Sequence, residues 1–283
     1  ALTTGDENVA VGYNALATED TGVGNVAVGR NALTALNFDG NGYNTAVGYV
    51  AGAAVTTGVQ NTLIGALAGD AITTGNFNVA LGHNSLSTNT VGFGSVALGH
   101  SALAVQNYST ATNAYNTAVG HVAGAAITTG TLNTLIGGLA GDAITTASNN
   151  TAVGYASLGA VTTGTENTVV GAAAGDALTT SSSNVAVGIR ALSGETKGTN
   201  NVAIGRDALA VQNTTSAVVS ANTAVGALAG AAITTGVENT LIGGLAGDAL
   251  TSTGLNVAVG YNALTADTLG GYSTAIGHGS LGS

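Results

Sequence analysis

One short motif recurs along the whole chain: Asn, Thr or Val, a small or aliphatic residue, Val/Ile/Leu, then Gly. Its glycines are Gly12, Gly29, Gly48, Gly65, Gly82, Gly99, Gly120, Gly137, Gly154, Gly171, Gly188, Gly205, Gly226, Gly243, Gly260 and Gly277. Twelve of the fifteen spacings are 17 residues, one is 19 and two are 21. Self-similarity at a fixed short period is the mark of a repeat architecture, in which each unit buries its apolar face only against its neighbours. No segment lies outside the pattern, so residues 1–283 are expected to form a single repeat domain.

A 17-residue unit is too short for a helical hairpin repeat or a propeller blade. It has room for two short strands and two turns. β-Branched residues fill the motif, as strands prefer. The expected fold is therefore all-β: a parallel β-solenoid, or β-roll, of about sixteen coils of 17 residues with two short strands per coil. The first strand is the Asn-Thr-Ala-Val stretch and the second surrounds a Thr-Thr pair. At ~4.8 Å per coil the rod would be roughly 75 Å long.

With the motif Gly as position 0, each column has its own chemistry. Position −1 is aliphatic in all sixteen turns, position −4 is Asn in fourteen and Ser in two, and position +3 is always Ala or Ser. The −1 column is expected to face the lumen, the small +3 residues to mark a narrow point, and the Asn to form an amide ladder like those of cross-β stacks. Gly at 0 and +10 is expected at corners with positive φ. In seven turns +4 is Gly, and there +7 is always aliphatic, as in Gly52 with Val55 or Gly69 with Ile72. Where +4 is Leu, +7 is usually polar, as in Leu16 with Glu19. One aliphatic group per coil is thus expected to fill one core corner. The two 21-residue turns share Ala-Val-Gln-Asn (Ala104–Asn107, Ala210–Asn213) and are read as loops bulging from one corner.

Stacking also accounts for the composition. Only 6% of residues are charged, against about 25% in ordinary domains, because a charge would face its own kind in the next coil. Four Lys and Arg in a chain of net charge −10 are too few for phosphate affinity, so no nucleic-acid partner is expected. No apolar run approaches the ~20 residues of a membrane span. Without Cys there is no disulfide framework and no zinc-thiolate site.

More than one chain is expected. With −1 inward, position −2 (Ala10, Ala27, Leu63, Leu135, Val169, Leu241) would form an outward apolar stripe that calls for burial against copies of itself. The chain begins and ends mid-coil, which suggests a processed chain or a segment of a longer protein. Joining Ser283 to Ala1 would space Gly277 and Gly12 by 18 residues, so end-to-end stacking is a second mode of assembly.

Asn201-Val-Ala-Ile-Gly205 and Asn184-Val-Ala-Val-Gly188 resemble the coils of trimeric autotransporter adhesin heads. Gly260-Tyr-Asn-Ala-Leu264 looks like repeats of bacterial surface proteins and bacteriophage tail fibres. The resemblance implies a left-handed parallel β-roll, lateral trimers, and an extracellular, cell-surface or virion location with a role in attachment to a host glycan or receptor.

No nucleophile, base and orienting acid stand outside the repeat, so no catalytic residue, cofactor or metal is expected. Surface contacts are expected at position +1, which holds Tyr13, Arg30, Tyr49, His83, His100, His121, Tyr155, Arg206 and Tyr261. The loops near Tyr43, Tyr108, Tyr115 and Val218 join them because they break the repeat. His83, His100 and His121 fall in consecutive coils, where a ladder could bind metal or sense pH, though a plain rim column is the stronger reading. The Asp at +5 (Asp70, Asp142, Asp176, Asp248) lie too far apart for a calcium site. The expected function is a non-catalytic structural fibre for adhesion or filament formation. Alternatives are a tail-fibre shaft, or an ice- or glycan-binding surface built on the Thr column at +8.

Overall fold

The computed structural model describes residues 4–214 and 216–282; Ala1 and Ser283, the two sides of the expected end-to-end join, lie outside them. The chain is an all-β parallel solenoid that divides at Thr146 and Ala147 into two compact units. The first carries β1 (Val9–Val11), β2 (Val26–Val28), β3 (Thr45–Val47), β4 (Thr62–Ile64), β5 (Val79–Leu81), β6 (Gly92–Phe93), β7 (Val96–Leu98), β8 (Thr112–Asn113), β9 (Thr117–Val119) and β10 (Thr134–Ile136). The second carries β11 (Thr151–Val153), β12 (Thr168–Val170), β13 (Val185–Val187), β14 (Val202–Ile204), β15 (Thr223–Val225), β16 (Thr240–Ile242), β17 (Val257–Val259) and β18 (Thr274–Ile276).

Within each unit, each motif strand pairs in parallel with that of the next coil, position on position, as Val9 with Val26 and Thr168 with Val185. Like residues therefore stack on like, as the repeat requires. The coils hold one strand each rather than two. At the Thr pair the N–H groups of Thr56, Thr57 and Gly58 all converge on the single carbonyl of Thr73. Three donors on one acceptor of the next coil make a bend, not a ladder. Among the described residues a second strand pair forms beside the first 21-residue insertion, where β6 of the preceding coil pairs with β8, and isolated parallel bridges join Val23 to Asn41 and Thr199 to Val219.

The facing of the strand is the reverse of expectation. Position −2 is buried in the lumen and −1 faces out: Ala27, Leu63, Ala152 and Leu241 are fully buried, whereas Val11, Ile136 and Ile242 are 56%, 40% and 41% exposed. The Asn at −4 decides this, because an amide ladder holds only where water cannot compete for it, and strand parity then carries −2 inward with −4. The lumen is narrow, so its −2 column is mostly Ala. The larger −2 residues (Leu63, Leu135, Val169, Leu241) occur where their own motif has Gly at +4.

The Asn ladder forms as expected. In the first unit Asn61 Nδ2 donates to Asn44 Oδ1 at 3.1 Å and Asn78 Nδ2 to Asn61 Oδ1 at 3.2 Å. In the second, Asn184, Asn239 and Asn256 repeat this geometry on Asn167, Asn222 and Asn239. Each Oδ1 also accepts the backbone N–H of the following Asn, as Asn44 Oδ1 does from Asn61. Where Ser95 interrupts the column, Gln106 reaches in: its Nε2 donates to Ser95 Oγ at 3.0 Å and its Oε1 accepts from Asn116 Nδ2 at 2.8 Å. The Ala-Val-Gln-Asn tetrapeptide is thus not itself the bulge, since Gln106 and Gln212 both stay buried at +7.

The core corner is filled as expected, by buried Leu at +4 (Leu86, Leu192) or a buried aliphatic at +7 (Ile72, Ile233). Position +4 lies in the left-handed region throughout, with φ of 50° at Leu16 and 55° at Gly69. A leucine there costs about 1 kcal/mol or more, which burial of its side chain offsets. The Gly at +10 has another cause than a positive φ: a Cβ on Gly75 would lie 2.6 Å from the carbonyl oxygen of Gly92 in the next coil.

Candidate interaction surface

The outward side of each strand presents position −3 (Val or Thr) and −1 (Val, Ile or Leu), and position +1 borders them. In both units the result is an apolar stripe edged by rings and cations.

The structure brings the proposed +1 residues together in short stacks. In the first unit Arg30 lies between Tyr13 and Tyr49, its guanidinium carbon 5.8 and 5.6 Å from their ring centroids. Arg30 Nη1 donates to Tyr49 Oη at 3.3 Å. Further along, His83, His100 and His121 stack with centroids 5.3 Å apart and planes 14° apart. In the second unit Tyr261 stacks on His278 at 5.5 Å. Tyr155 is followed in the column by Ala172 and Ile189, which offer no ring. Arg206 donates from Nη1 to Asp207 Oδ2 at 3.0 Å. Arg190 binds the same carboxylate through Nε at 2.7 Å and Nη2 at 3.0 Å. These hydrogen bonds from Arg190, backed by the charges of both arginines, hold the Asp207 carboxyl below its usual range against the effect of burial.

Because the stacked rings face one another along the column, they turn their edges rather than their faces to solvent. The stacked members offer imidazole nitrogens, phenol oxygens and guanidinium N–H groups, whereas Tyr155, 63% exposed, has no ring beside it. Among the described residues no group of three or more His, Asp or Glu is placed to hold a metal ion.

Other proposed contacts divide. Tyr43 and Tyr115 are half-exposed and lie against Gly24 and Gly94, where a Cβ would come within 2.7 Å of each ring. Tyr108 is no surface contact. It is buried and donates its hydroxyl to the Gly130 carbonyl at 2.8 Å. Burial pushes it up to about 12, against a hydrogen bond from Asn116. An insertion this long needs an anchor, and the ring supplies it.

The Thr hydroxyls at +8 are spent within the solenoid, as Thr73 Oγ1 donates to the Thr90 carbonyl at 3.1 Å and Thr179 Oγ1 to that of Thr196 at 2.9 Å. The exposed rank of the Thr pair is +9, as at Thr57, Thr74 and Thr163. At +5, burial raises the carboxyls of Asp70, Asp142, Asp176 and Asp248 above the ordinary value, partly offset by backbone hydrogen bonds. Oδ1 of Asp70, Asp176 and Asp248 is buried without a hydrogen-bond partner.

The sequence reading missed Arg190, Asp207 and the stripe at −1. The signal was present: a buried amide column at −4 fixes the parity of the strand. No family model matches the chain, and neither does any curated protein or solved structure.

Proposed function

We propose that the chain is a non-catalytic structural element of a fibre, assembled by packing the outward strand face against further copies of itself. The observation that carries the reading is the −1 column. It is aliphatic in every coil, and Val47, Leu81, Leu98, Val170, Ile204 and Ile242 are each more than a third exposed. Exposed apolar ladders of this length mark interfaces. A surface that repeats at the strand spacing fits best another surface with the same period, which a second copy supplies. The reading extends to a role in adhesion or filament formation, or as a tail-fibre shaft, at a cell surface or on a virion. Sedimentation of the full chain tests it. Self-association at micromolar concentration is expected, and a stable monomer at tens of micromolar would overturn it.

A further inference from the structure

We infer that the two borders of the apolar stripe carry opposite charge, so that copies of this chain pack with their coils running in the same direction. The inference rests on the self-association proposed above and names the orientation of the partner. The chain has eight basic or His side chains, and seven of them (Arg30, Arg190, Arg206, His83, His100, His121, His278) stand at +1 or +2. One acid, Asp207, shares those positions. The opposite border is position −5, on the far side of the strand and about 20 Å away at ~3.3 Å per residue. It holds Glu7, Glu166 and Glu238 and no base, and all three are exposed.

Two such faces can be apposed in two senses. With coils running the same way, the +1 border of one copy meets the −5 border of the other. With coils opposed, +1 meets +1 and −5 meets −5, placing like charges together. Edge charges add little affinity but penalise wrong pairings. The spacing along the column agrees in each unit. Arg30 lies one coil beyond Glu7, and Arg190 one coil beyond Glu166. The offset is ~4.8 Å, within reach of such long side chains.

The test is self-association of the full chain by sedimentation, with three variants: Arg30→Glu/Arg190→Glu, Glu7→Arg/Glu166→Arg, and the fourfold combination. Each twofold variant is expected to associate about fivefold more weakly than the wild type, and the fourfold variant to recover. Arg190→Glu also removes a partner of Asp207, so Arg30→Glu with and without Glu7→Arg is measured beside it, with circular dichroism to confirm the fold. A wild type that associates while the inversions leave its affinity unchanged would overturn the orientation and leave self-association standing. Tighter pairing of the Arg→Glu chain with the wild type than of the wild type with itself would show opposed coils and overturn the inference. A wild type that stays monomeric would remove the self-association on which the orientation rests.

Discussion

Leu63 occupies the volume that a side chain on Gly52 would need: a Cβ there would lie 2.6 Å from Leu63 Cδ1. Gly69, in the following coil, yields to the other methyl, at 2.7 Å from Leu63 Cδ2. The same arrangement sets Leu135 between Gly124 and Gly141, and Leu241 between Gly230 and Gly247. Gly at +4 therefore serves the neighbouring coil as well as its own. Leu63→Ala is expected to cost about 2–5 kcal/mol through the cavity it leaves. Gly52→Ala is expected to cost about 1–3 kcal/mol by overpacking. Denaturant melts of the double variant should show less than the sum of the two losses, since each change relieves the other.

The amide column predicts a sharp contrast between two changes. Asn61 accepts from Asn78 and donates to both Asn44 and Gly75. Asn61→Leu should cost more than about 3 kcal/mol, because several buried partners are left without a bond. Gln106→Leu should cost about 2 kcal/mol, although it lies outside the column, since Ser95 and Asn116 both depend on it. Urea titration of each variant measures the loss.

Strand facing predicts the reverse of what side-chain size suggests. Ala152→Asp puts a charge into the lumen and is expected to abolish folding. Val153→Asp, one residue on, should leave the melting temperature within a few degrees but weaken self-association. Thermal melting and sedimentation of the pair separate the two effects. Equal loss of melting temperature in both would count against the assigned faces.

Stability should respond to acid in two opposed ways. The raised carboxyls of Asp70, Asp142, Asp176 and Asp248 favour the fold fully below their unfolded value of 3.8, and that contribution is lost as pH rises through their higher folded values. Replacing all four with Asn should raise the melting temperature at pH 7 and leave it little changed near pH 3. Glu195 behaves oppositely. Burial alone would raise it, but hydrogen bonds from Gly198, Gln212, Lys197 and Thr214 outweigh this and lower it. Its contribution is present above 4.5 and fades as pH falls through the lower folded value. Glu195→Gln should therefore destabilise at pH 7 and matter less in acid. Melts from pH 3 to 8 distinguish the two groups.

The period, the coil count and the Asn ladder were legible in the sequence because stacking makes each column repeat its own chemistry. Facing was not read correctly, because Val at −1 and Ala at −2 look like core and surface when judged by bulk. In a lumen this narrow the smaller residue belongs inside. The second strand failed for a related reason: Thr-Thr has strand propensity, yet its N–H groups share one carbonyl. The Tyr108 anchor had no repeat partner, since Thr214 stands at the matching place in the second insertion and serves Glu195 instead.

In the ladders of both units the donor is the later residue and the acceptor the earlier one: Asn61 to Asn44, Asn78 to Asn61, Asn184 to Asn167, Asn201 to Asn184. A coil leaving the ribosome therefore finds its amide acceptor already in place, only 17 residues behind it. Partners so close in sequence keep the entropy of closure small. The column thus suits a chain that winds up in the order in which it is made, each new turn using a template its predecessor has just completed.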